Sequence, residues 1–515
     1  MTNVKKNAYF YAFSSYAAMA IGFITSLVTI RYVDIGLYGA ASHVKAAALL
    51  LQPFVWLGTD QLMFRIIRLK TKNIIFGILV VYYILMSLLL TSLVVFIPKL
   101  YVGELIHNKY SIAPFVFFGL IISSLIQGFI SNIGLTFERG KIIAFSNIFL
   151  SLVSVVSGLF LILYKNINIS MWAVFIGYLV YFLLIVLYFR KKLLNDIKLF
   201  ISDISQKQLC KEAFRDLKKE FNFVKYFSLS SVFGIMAKRI TSIYFANSGN
   251  TPMLAILSLF NQMSDSLQSV AWSINNSWGI NRLKAQLDHV ETKTLKNIKS
   301  LMNSFYNEAD SINYILISLF LLLSPIWITI FHYIVGRWHI SYPLAISVLT
   351  VVIVKYVFDF VGTILQHNYL YITEKLGKQI FAFTLINACL TPVNLILVER
   401  YSIYGAIFAT LLPGLAAFVV GEFFLRELRS RRFLTIFISI AIFVPISFAY
   451  IPGHFLYTAI ASIVLSVLLL TVIIKLCIKH IRYDFYNIIL NINTTFTKIV
   501  LHYYPDLKNY NNEIK

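Results

Sequence analysis

The chain contains about fourteen long apolar segments, and the loops between them alternate between rich and poor in Lys and Arg. Each segment is about 20 residues long, which is the length of an α-helix that crosses the roughly 30 Å hydrocarbon core of a bilayer. Lipid offers the backbone no hydrogen-bond partner, so each segment must pair its own N–H and C=O groups. The sequence therefore predicts an all-α polytopic membrane protein.

The distribution of charge fixes the predicted topology. With the N-terminus in the cytoplasm, 34 of the 45 Lys and Arg residues lie in inward loops or tails. Only six lie in outward loops: Arg31, Lys99, Lys109, Lys165, Arg337 and Arg400. Cytoplasmic loops carry such an excess in membrane proteins, so the net charge of +23 is explained without any nucleic acid. One helix more or fewer would invert every later loop, and both termini are therefore predicted to be cytoplasmic.

Hydropathy also predicts the domain organisation. The helices are expected at 8–30, 37–64, 74–97, 111–134, 142–164, 170–189, 222–245, 252–279, 311–334, 343–366, 377–398, 402–424, 433–450 and 455–475. The resulting division is an N-terminal six-helix lobe at 1–190, a cytoplasmic amphipathic connection at 191–221, a C-terminal six-helix lobe at 222–430, two additional helices at 431–475 and a cytoplasmic amphipathic tail at 476–515.

A parallel tandem duplication would give two such lobes. A shift of the chain by 216 residues superposes Ile24-Thr25-Ser26 on Ile240-Thr241-Ser242, in the first helix of each half. Both halves also end in a basic cluster, one at 190–192 and one at 426–432. Two lobes around a central cavity are therefore expected.

No catalytic chemistry is indicated by the motifs. The sequence has no Walker motif, Gly-rich phosphate loop or His-Glu metal signature, and the three Cys are too far apart to suggest a zinc site. We predict no catalytic residue, no metal and no cofactor. Energy for any transport would come from an ion gradient or from the substrate's own gradient.

Cations inside the predicted helices are the first candidates for function. A Lys or Arg at a helix centre costs roughly 2.5 to 3.5 kcal/mol to insert, so it needs a wet or paired environment. The candidate substrate-binding residues are Lys45, Lys238, Arg239 and Lys355. A structural ion pair is the alternative for Lys45, snorkelling to the outer headgroups for Lys238 and Arg239, and a salt bridge to Asp359 for Lys355.

The eighth predicted helix has one strongly polar stripe, made of Asn261, Asp265, Gln268, Ser269, Trp272 and Asn276. Such a stripe would be costly against lipid, so it is expected to line a cavity or the seam between the halves. Asp265, Asp359 and Asp60 are candidates for ion coupling or for lining the cavity. A helix–helix hydrogen bond is the alternative for Asp265, and a local cap or a pair with Arg65 is the alternative for Asp60.

A motif in the first hairpin adds a family resemblance. It reads Ile30-Arg31-Tyr32-Val33-Asp34-Ile35-Gly36-Leu37-Tyr38-Gly39, and the second helix ends Leu57-Gly58-Thr59-Asp60-Gln61 before Arg65. This resembles the O-antigen and polysaccharide flippases of the Wzx type, in which an Arg, a Gly and a Tyr-Gly pair close the first helix and open the second. The resemblance covers residues 5–430 in architecture and about the first 65 in motif.

The resemblance implies the fold of the multidrug/oligosaccharidyl-lipid/polysaccharide (MOP) transporter superfamily, with two lobes around a V-shaped cavity. It implies a flippase of undecaprenyl-pyrophosphate-linked oligosaccharides in the bacterial inner membrane, for lipopolysaccharide O-antigen or another surface polysaccharide. The implied partners are that substrate, membrane lipids, a coupling proton or sodium ion, and a polysaccharide polymerase.

Two alternatives stay open at this point. A multidrug and toxic-compound extrusion (MATE) exporter shares the fold but would need buried carboxylates for cationic drugs, and the sequence has few. A membrane polysaccharide polymerase or glycosyltransferase would need a large outward loop, and the longest outward loop, at about 98–110, has Glu104 as its only acid.

Overall fold

The computed structural model describes residues 2–56, 71–96, 103–113, 115–123, 140–204, 206–274, 338, 342–360, 376–424, 460 and 464. Within these ranges we name ten helices: α1 Thr2–Tyr32, α2 Ile35–Trp56, α3 Lys72–Phe96, α4 Glu104–Tyr110, α5 Gly140–Tyr164, α6 Ile167–Ile204, α7 Lys207–Asn247, α8 Thr251–Ile274, α9 Tyr342–Phe360 and α10 Leu376–Phe424. Residues 115–123 are also helical. The prediction of a helical chain is confirmed for these residues.

Local sequence explains where the helices begin. The Asp34 carboxylate accepts hydrogen bonds from the backbone N–H groups of Gly36 (2.8 Å) and Leu37 (3.3 Å). These donors have no partner within the helix, so Asp34 caps α2 at its N-terminus. The acid in the first-hairpin motif therefore sets the turn between α1 and α2.

The segment labelled α10 consists of two helices that follow one another along the chain. Ser402 has a φ of 53° and a ψ of −129°, which interrupts the helix between the segments predicted at 377–398 and 402–424. A side chain at Gly405 would overlap the backbone oxygen of Leu397, so the turn closes with backbone in direct contact. Glycine is needed there because no β-carbon fits.

The predicted connection at 191–221 is helical and continuous with the membrane segments on both sides. Helix α6 runs on to Ile204 and α7 starts at Lys207, so the chain turns between these two residues. The Asn73 side chain donates to Asp203 (3.0 Å), and the Thr71 hydroxyl donates to Asp216 (2.9 Å). The start of α3 thus holds both arms of this helical hairpin.

The helices pack in two groups. In the first, α1 packs on α5, α5 on α6, and α3 on α6. In the second, α10 packs on α7 and α9, and α9 also packs on α8. Helix α2 joins the groups by packing on α7 and α8 of the second group and on α3 of the first, and α1 also contacts α8.

Contacts along α1 and α5 give their direction. The Asn147 amide donates to the Ser14 hydroxyl (3.2 Å), and a β-carbon at Gly158 would lie 2.9 Å from the Thr25 side chain. Both contacts advance by 11 residues along each helix, so α1 and α5 run parallel. The same holds for α7 and the first part of α10, where Gly234 lies opposite Asn387 and Ala237 opposite Asn394.

Much of the outer surface is apolar. Four stretches are long and apolar enough to cross a membrane: Asn73–Leu90, Ala144–Tyr164, Ile167–Tyr188 and Phe381–Gly421. On α3, exposed side chains include Val81, Ile84, Leu85, Leu88 and Leu89. A row of exposed leucines is unfavourable in water, so lipid is the solvent for this face.

The chain separates into two compact units, 1–284 with 334–429 and 285–333 with 430–515. All ten named helices lie in the first unit. In the second unit, Ile460 and Val464 are described, and both are exposed. The division into two six-helix lobes stays a prediction, and the helices predicted at 311–334 and 433–450 lie outside the described residues.

Candidate functional site

Two helix starts meet where α1 turns into α2 and α7 turns into α8. A β-carbon at Gly39 would overlap the backbone oxygen of Thr251 and lie 2.8 Å from the backbone nitrogen of Ala255. A β-carbon at Gly36 would lie 2.9 Å from the Thr251 hydroxyl. Glycine thus lets the backbones of α2 and α8 touch directly, as small residues do in membrane helix pairs.

Helix α4 closes the same end of the bundle. Gly103 has a φ of 83°, and a β-carbon there would lie 2.5 Å from the backbone oxygen of Ala246. Gly249 has a φ of 68°, and its β-carbon position is 2.8 Å from the Leu105 side chain. We call residues 34–39, 103–110 and 246–255 together the seal.

A hydrogen-bonded cluster lies next to the seal, between α1, α2 and α8. The Gln262 amide donates to the Ser26 hydroxyl (2.6 Å) and to the Gly22 backbone oxygen (3.3 Å). Its oxygen lies 3.4 Å from the Tyr38 hydroxyl, which donates to it. The Tyr38 ring, which is buried, lies 5.6 Å from the Trp338 ring, measured between centroids. This cluster joins the two helix groups through side chains rather than backbone.

Two candidate cations lie deeper than the seal. Lys45 is half-buried and follows Tyr38 by seven residues, two turns further along the same face of α2. It is about 15 Å from the start of α2 at 1.5 Å per residue. Arg239 is also half-buried and lies about 12 Å from the end of α7 at the seal. One cation comes from each predicted lobe.

The third cation has a different environment. Lys355 on α9 is buried, and its Nζ donates to the Ser264 hydroxyl of α8 at 2.8 Å. Asp265, which follows Ser264 on α8, is exposed, and Asn261 on the same helix is half-buried. Asp265 lies about 21 Å from the start of α8, about two-thirds of the way across a 30 Å hydrocarbon core. Polar groups of α8 and α9 therefore meet at this depth.

The remaining candidates are described only in part. Lys238 lies on α7, Gln268 on α8 and Asp359 on α9, but their side chains lie outside the described residues. Asp60 and Asn276 lie outside them altogether.

Solved structures of similar fold are transporters. The lipid II flippase MurJ, in an inward closed conformation, matches with a TM-score of 0.56 and 13% identity, over 90% of this chain and 98% of that chain. The chain has the fold of this flippase, and it is a multi-pass membrane protein. At such low identity the similarity concerns the fold alone.

Two other transporter structures match with lower scores. One is a MOP superfamily transporter from Pyrococcus furiosus, with a TM-score of 0.41 and 14% identity over 83% of this chain and 96% of that chain. The other is an outward-facing multidrug resistance MATE family transporter, with a TM-score of 0.42 and 12% identity over 84% and 96%. No protein-family model and no curated protein sequence matches the chain.

Sequence reasoning missed the residue at the centre of the polar cluster. Gln262 is adjacent to Asn261 and one turn before Asp265, so it sits beside the polar stripe without being part of it. Its partner Ser26 belongs to the triplet that the 216-residue shift repeats, and Tyr38 belongs to the first-hairpin motif. The repeated triplet and the first-hairpin motif each contain one residue of the cluster. Their contact with Gln262 follows from the packing of α1 and α2 on α8.

Proposed function

We propose that this protein is a flippase that moves undecaprenyl-pyrophosphate-linked oligosaccharide repeat units across the bacterial cytoplasmic membrane by alternating access. The product serves O-antigen or another surface polysaccharide. The observation that carries the proposal is the pair of half-buried cations, Lys45 and Arg239, at similar depth in helices of the two predicted lobes. A pyrophosphate loses its hydration when it crosses a bilayer, and fixed cations replace that hydration with charge-assisted hydrogen bonds.

The closed seal supports alternating access. The charge pattern predicts that this end of the bundle faces outward, so we propose that a cavity between the predicted lobes opens toward the cytoplasm while the seal is closed. The α2–α8 contact at Gly39 is made by backbone without interlocking side chains, so the helices can separate as rigid bodies. The fold shared with a lipid II flippase agrees with a lipid-linked cargo.

Aromatic and amide groups near the seal suit the sugars. Tyr38 and Trp338 form an aromatic pair next to the Gln262 amide, and such rings stack on sugar faces while amides bond to hydroxyl groups. Because Tyr38 is buried while the seal is closed, we propose that the oligosaccharide reaches these groups when α2 and α8 separate, with the pyrophosphate bound by Lys45 and Arg239.

A MATE-type ion-coupled exporter is the second candidate, and the exposed Asp265 carboxylate deep in α8 favours it. The sign of the deep charges favours an anionic cargo instead, since the predicted deep cations outnumber Asp265 and Asp359. In the flippase, Asp265 is proposed to exchange a proton or sodium ion as the cavity alternates. A polymerase has less support, because the outward loops are short.

Alanine substitution in cells tests the role of the cations. Lys45→Ala and Arg239→Ala each remove charge-assisted hydrogen bonds worth about 1.5 to 3 kcal/mol, so export of the glycan should fall by about 10- to 100-fold. The amount of protein in the membrane should stay unchanged. Arg400→Ala is the matched control, because Arg400 is an exposed cation in α10 and lies outside the seal.

The competing explanation is a structural ion pair. If Lys45→Ala lowers the amount of folded protein in proportion to export, the cation stabilises the bundle and does not bind the cargo. If export is unchanged, the assignment of the pyrophosphate site is wrong.

A further inference from the structure

The first four turns of α7 carry a basic face. Its exposed side chains are Lys207, Lys211, Phe214, Arg215 and Lys218. At about 100° per residue these five positions fall within an arc of about 100° on the helix. The acids Glu212 and Asp216 lie outside this arc, about 110° and 150° from its middle, and Asp216 accepts the hydrogen bond from Thr71. The helix therefore separates its charges and leaves the cations without an acid on their own face.

The position of this segment follows from its contacts with α3. The apolar stretch of α3 begins at Asn73, so hydropathy places one edge of the hydrocarbon core there. Asn73 binds Asp203 at the end of α6, and its neighbour Thr71 binds Asp216 on α7. Both arms of the helical hairpin are thus held at the level of the lipid headgroups.

The length of α6 leads to the same position. Its apolar stretch ends at Tyr188, which is 72% exposed and marks the edge of the core on α6. The 15 residues from there to Asp203 span about 22 Å as a helix. Because Asp203 is held beside Asn73, which hydropathy places at the same surface, we infer that this length of helix runs along the membrane rather than away from it.

The composition of the exposed face indicates what it contacts. Phe214 is 64% exposed among the four cations, which is unfavourable in water. Basic residues around an aromatic side chain are typical of helices that lie on an anionic bilayer, with the ring at the acyl boundary and the cations at the phosphates. We propose that the basic face of α7 binds anionic phospholipid headgroups of the cytoplasmic leaflet. This contact anchors the link between the two predicted lobes, and it does not depend on the cargo.

Fluorescence quenching in nanodiscs tests the contact with the full-length protein. A dye is attached at Gln208→Cys, which is exposed beside the basic face, in a background without Cys210, Cys389 and Cys477. The bilayer contains phosphatidylcholine with increasing phosphatidylglycerol and a fixed fraction of lipid with a quencher on its headgroup. Quenching should rise with phosphatidylglycerol and fall in 1 M salt, where the Debye length is about 3 Å.

Charge reversal identifies the residues. Lys211→Glu with Arg215→Glu should weaken the affinity for phosphatidylglycerol by about fivefold for each basic residue removed, so quenching at a given phosphatidylglycerol fraction should fall. Lys109→Glu with Lys165→Glu makes the same change of charge at exposed positions outside the basic face and should have no effect. Phe214→Ala should weaken quenching while the salt dependence is retained.

Two results would overturn the proposal: equal quenching in phosphatidylcholine alone and with phosphatidylglycerol, or equal quenching in the reversed variant and the wild type. If the charge-reversal variant does not fold, Lys211→Gln with Arg215→Gln replaces it in the same experiment, because these substitutions remove positive charge without adding negative charge. The readout needs no transport, so a failure here is distinct from a failure of the flippase assignment.

Discussion

The substitution Gly39→Ala tests whether direct backbone contact closes the seal. An alanine β-carbon would overlap the backbone oxygen of Thr251 and lie 2.8 Å from the Ala255 nitrogen, where about 3.5 Å is the normal separation. Backbone atoms cannot rotate away, so α2 and α8 must move apart. Overpacking of this kind costs typically 1 to 3 kcal/mol. The closed seal should therefore lose about 5- to 150-fold in population relative to the open state.

Gly22→Ala is the matched control for this substitution. Gly22 is also a helical glycine, on α1, but a β-carbon there would meet no atom within 4 Å. Both variants gain the same helix propensity, about 1 kcal/mol, so any difference between them reports the α2–α8 contact.

Spin labels measure the population of each state. Tyr164 ends α5 and Asn247 ends α7; both are exposed, so labels fit there. Pulsed electron paramagnetic resonance in nanodiscs should give a short distance in the wild type and in Gly22→Ala. In Gly39→Ala, the distribution of distances between the two labels should contain a new or larger component at longer distance. If Gly39→Ala gives the wild-type distribution and the protein stays folded, direct backbone contact does not close the seal.

Three further outcomes are expected. Gln262→Leu removes the hydrogen bonds to Ser26, Gly22 and Tyr38, at about 0.6 kcal/mol each in a membrane, and should enlarge the same long-distance component by up to about 20-fold. An unchanged distribution would show that the cluster does not hold the seal closed. Asp265→Asn should abolish the response of reconstituted transport to an imposed proton or sodium gradient. The expected response is large, because one charge moved through 100 mV is worth about 2.3 kcal/mol. An unchanged response would make Asp265 structural. Cys210 should resist membrane-impermeant thiol reagents in intact cells and react in inverted vesicles; labelling in intact cells would refute the predicted topology.

The helices were predictable because their signals are local. Run length and the alternation of charge define where the chain crosses a bilayer, and the described helices mostly begin and end within a few residues of the prediction. The cap at Asp34 is equally local, since an acid before Ile35-Gly36 can bond to the first N–H groups of α2. What was underestimated is the length of α6 and α7, because their polar ends lack the apolar signal on which hydropathy depends.

The site was less predictable because it depends on contacts between distant segments. In the sequence, Gln262 is one of several amides on α8. Its role is visible only in the fold, which brings it into contact with Ser26, 236 residues away in the sequence. For Lys355, spacing predicted a pair with Asp359 four residues away, while the structure adds Ser264 on another helix. Sequence spacing reports neighbours on one helix, and partners on other helices require the fold.

Reconstitution of the purified protein tests the central assignment most directly. Proteoliposomes are loaded with an undecaprenyl-pyrophosphate-linked oligosaccharide, and its arrival in the outer leaflet is followed with an impermeant glycosidase. The flippase assignment predicts that wild-type protein exposes the oligosaccharide much faster than protein-free liposomes do, and that Lys45→Ala loses this gain while Arg400→Ala retains it. No exposure above protein-free liposomes, together with gradient-driven efflux of an organic cation by the same protein, would contradict the assignment and favour the drug exporter.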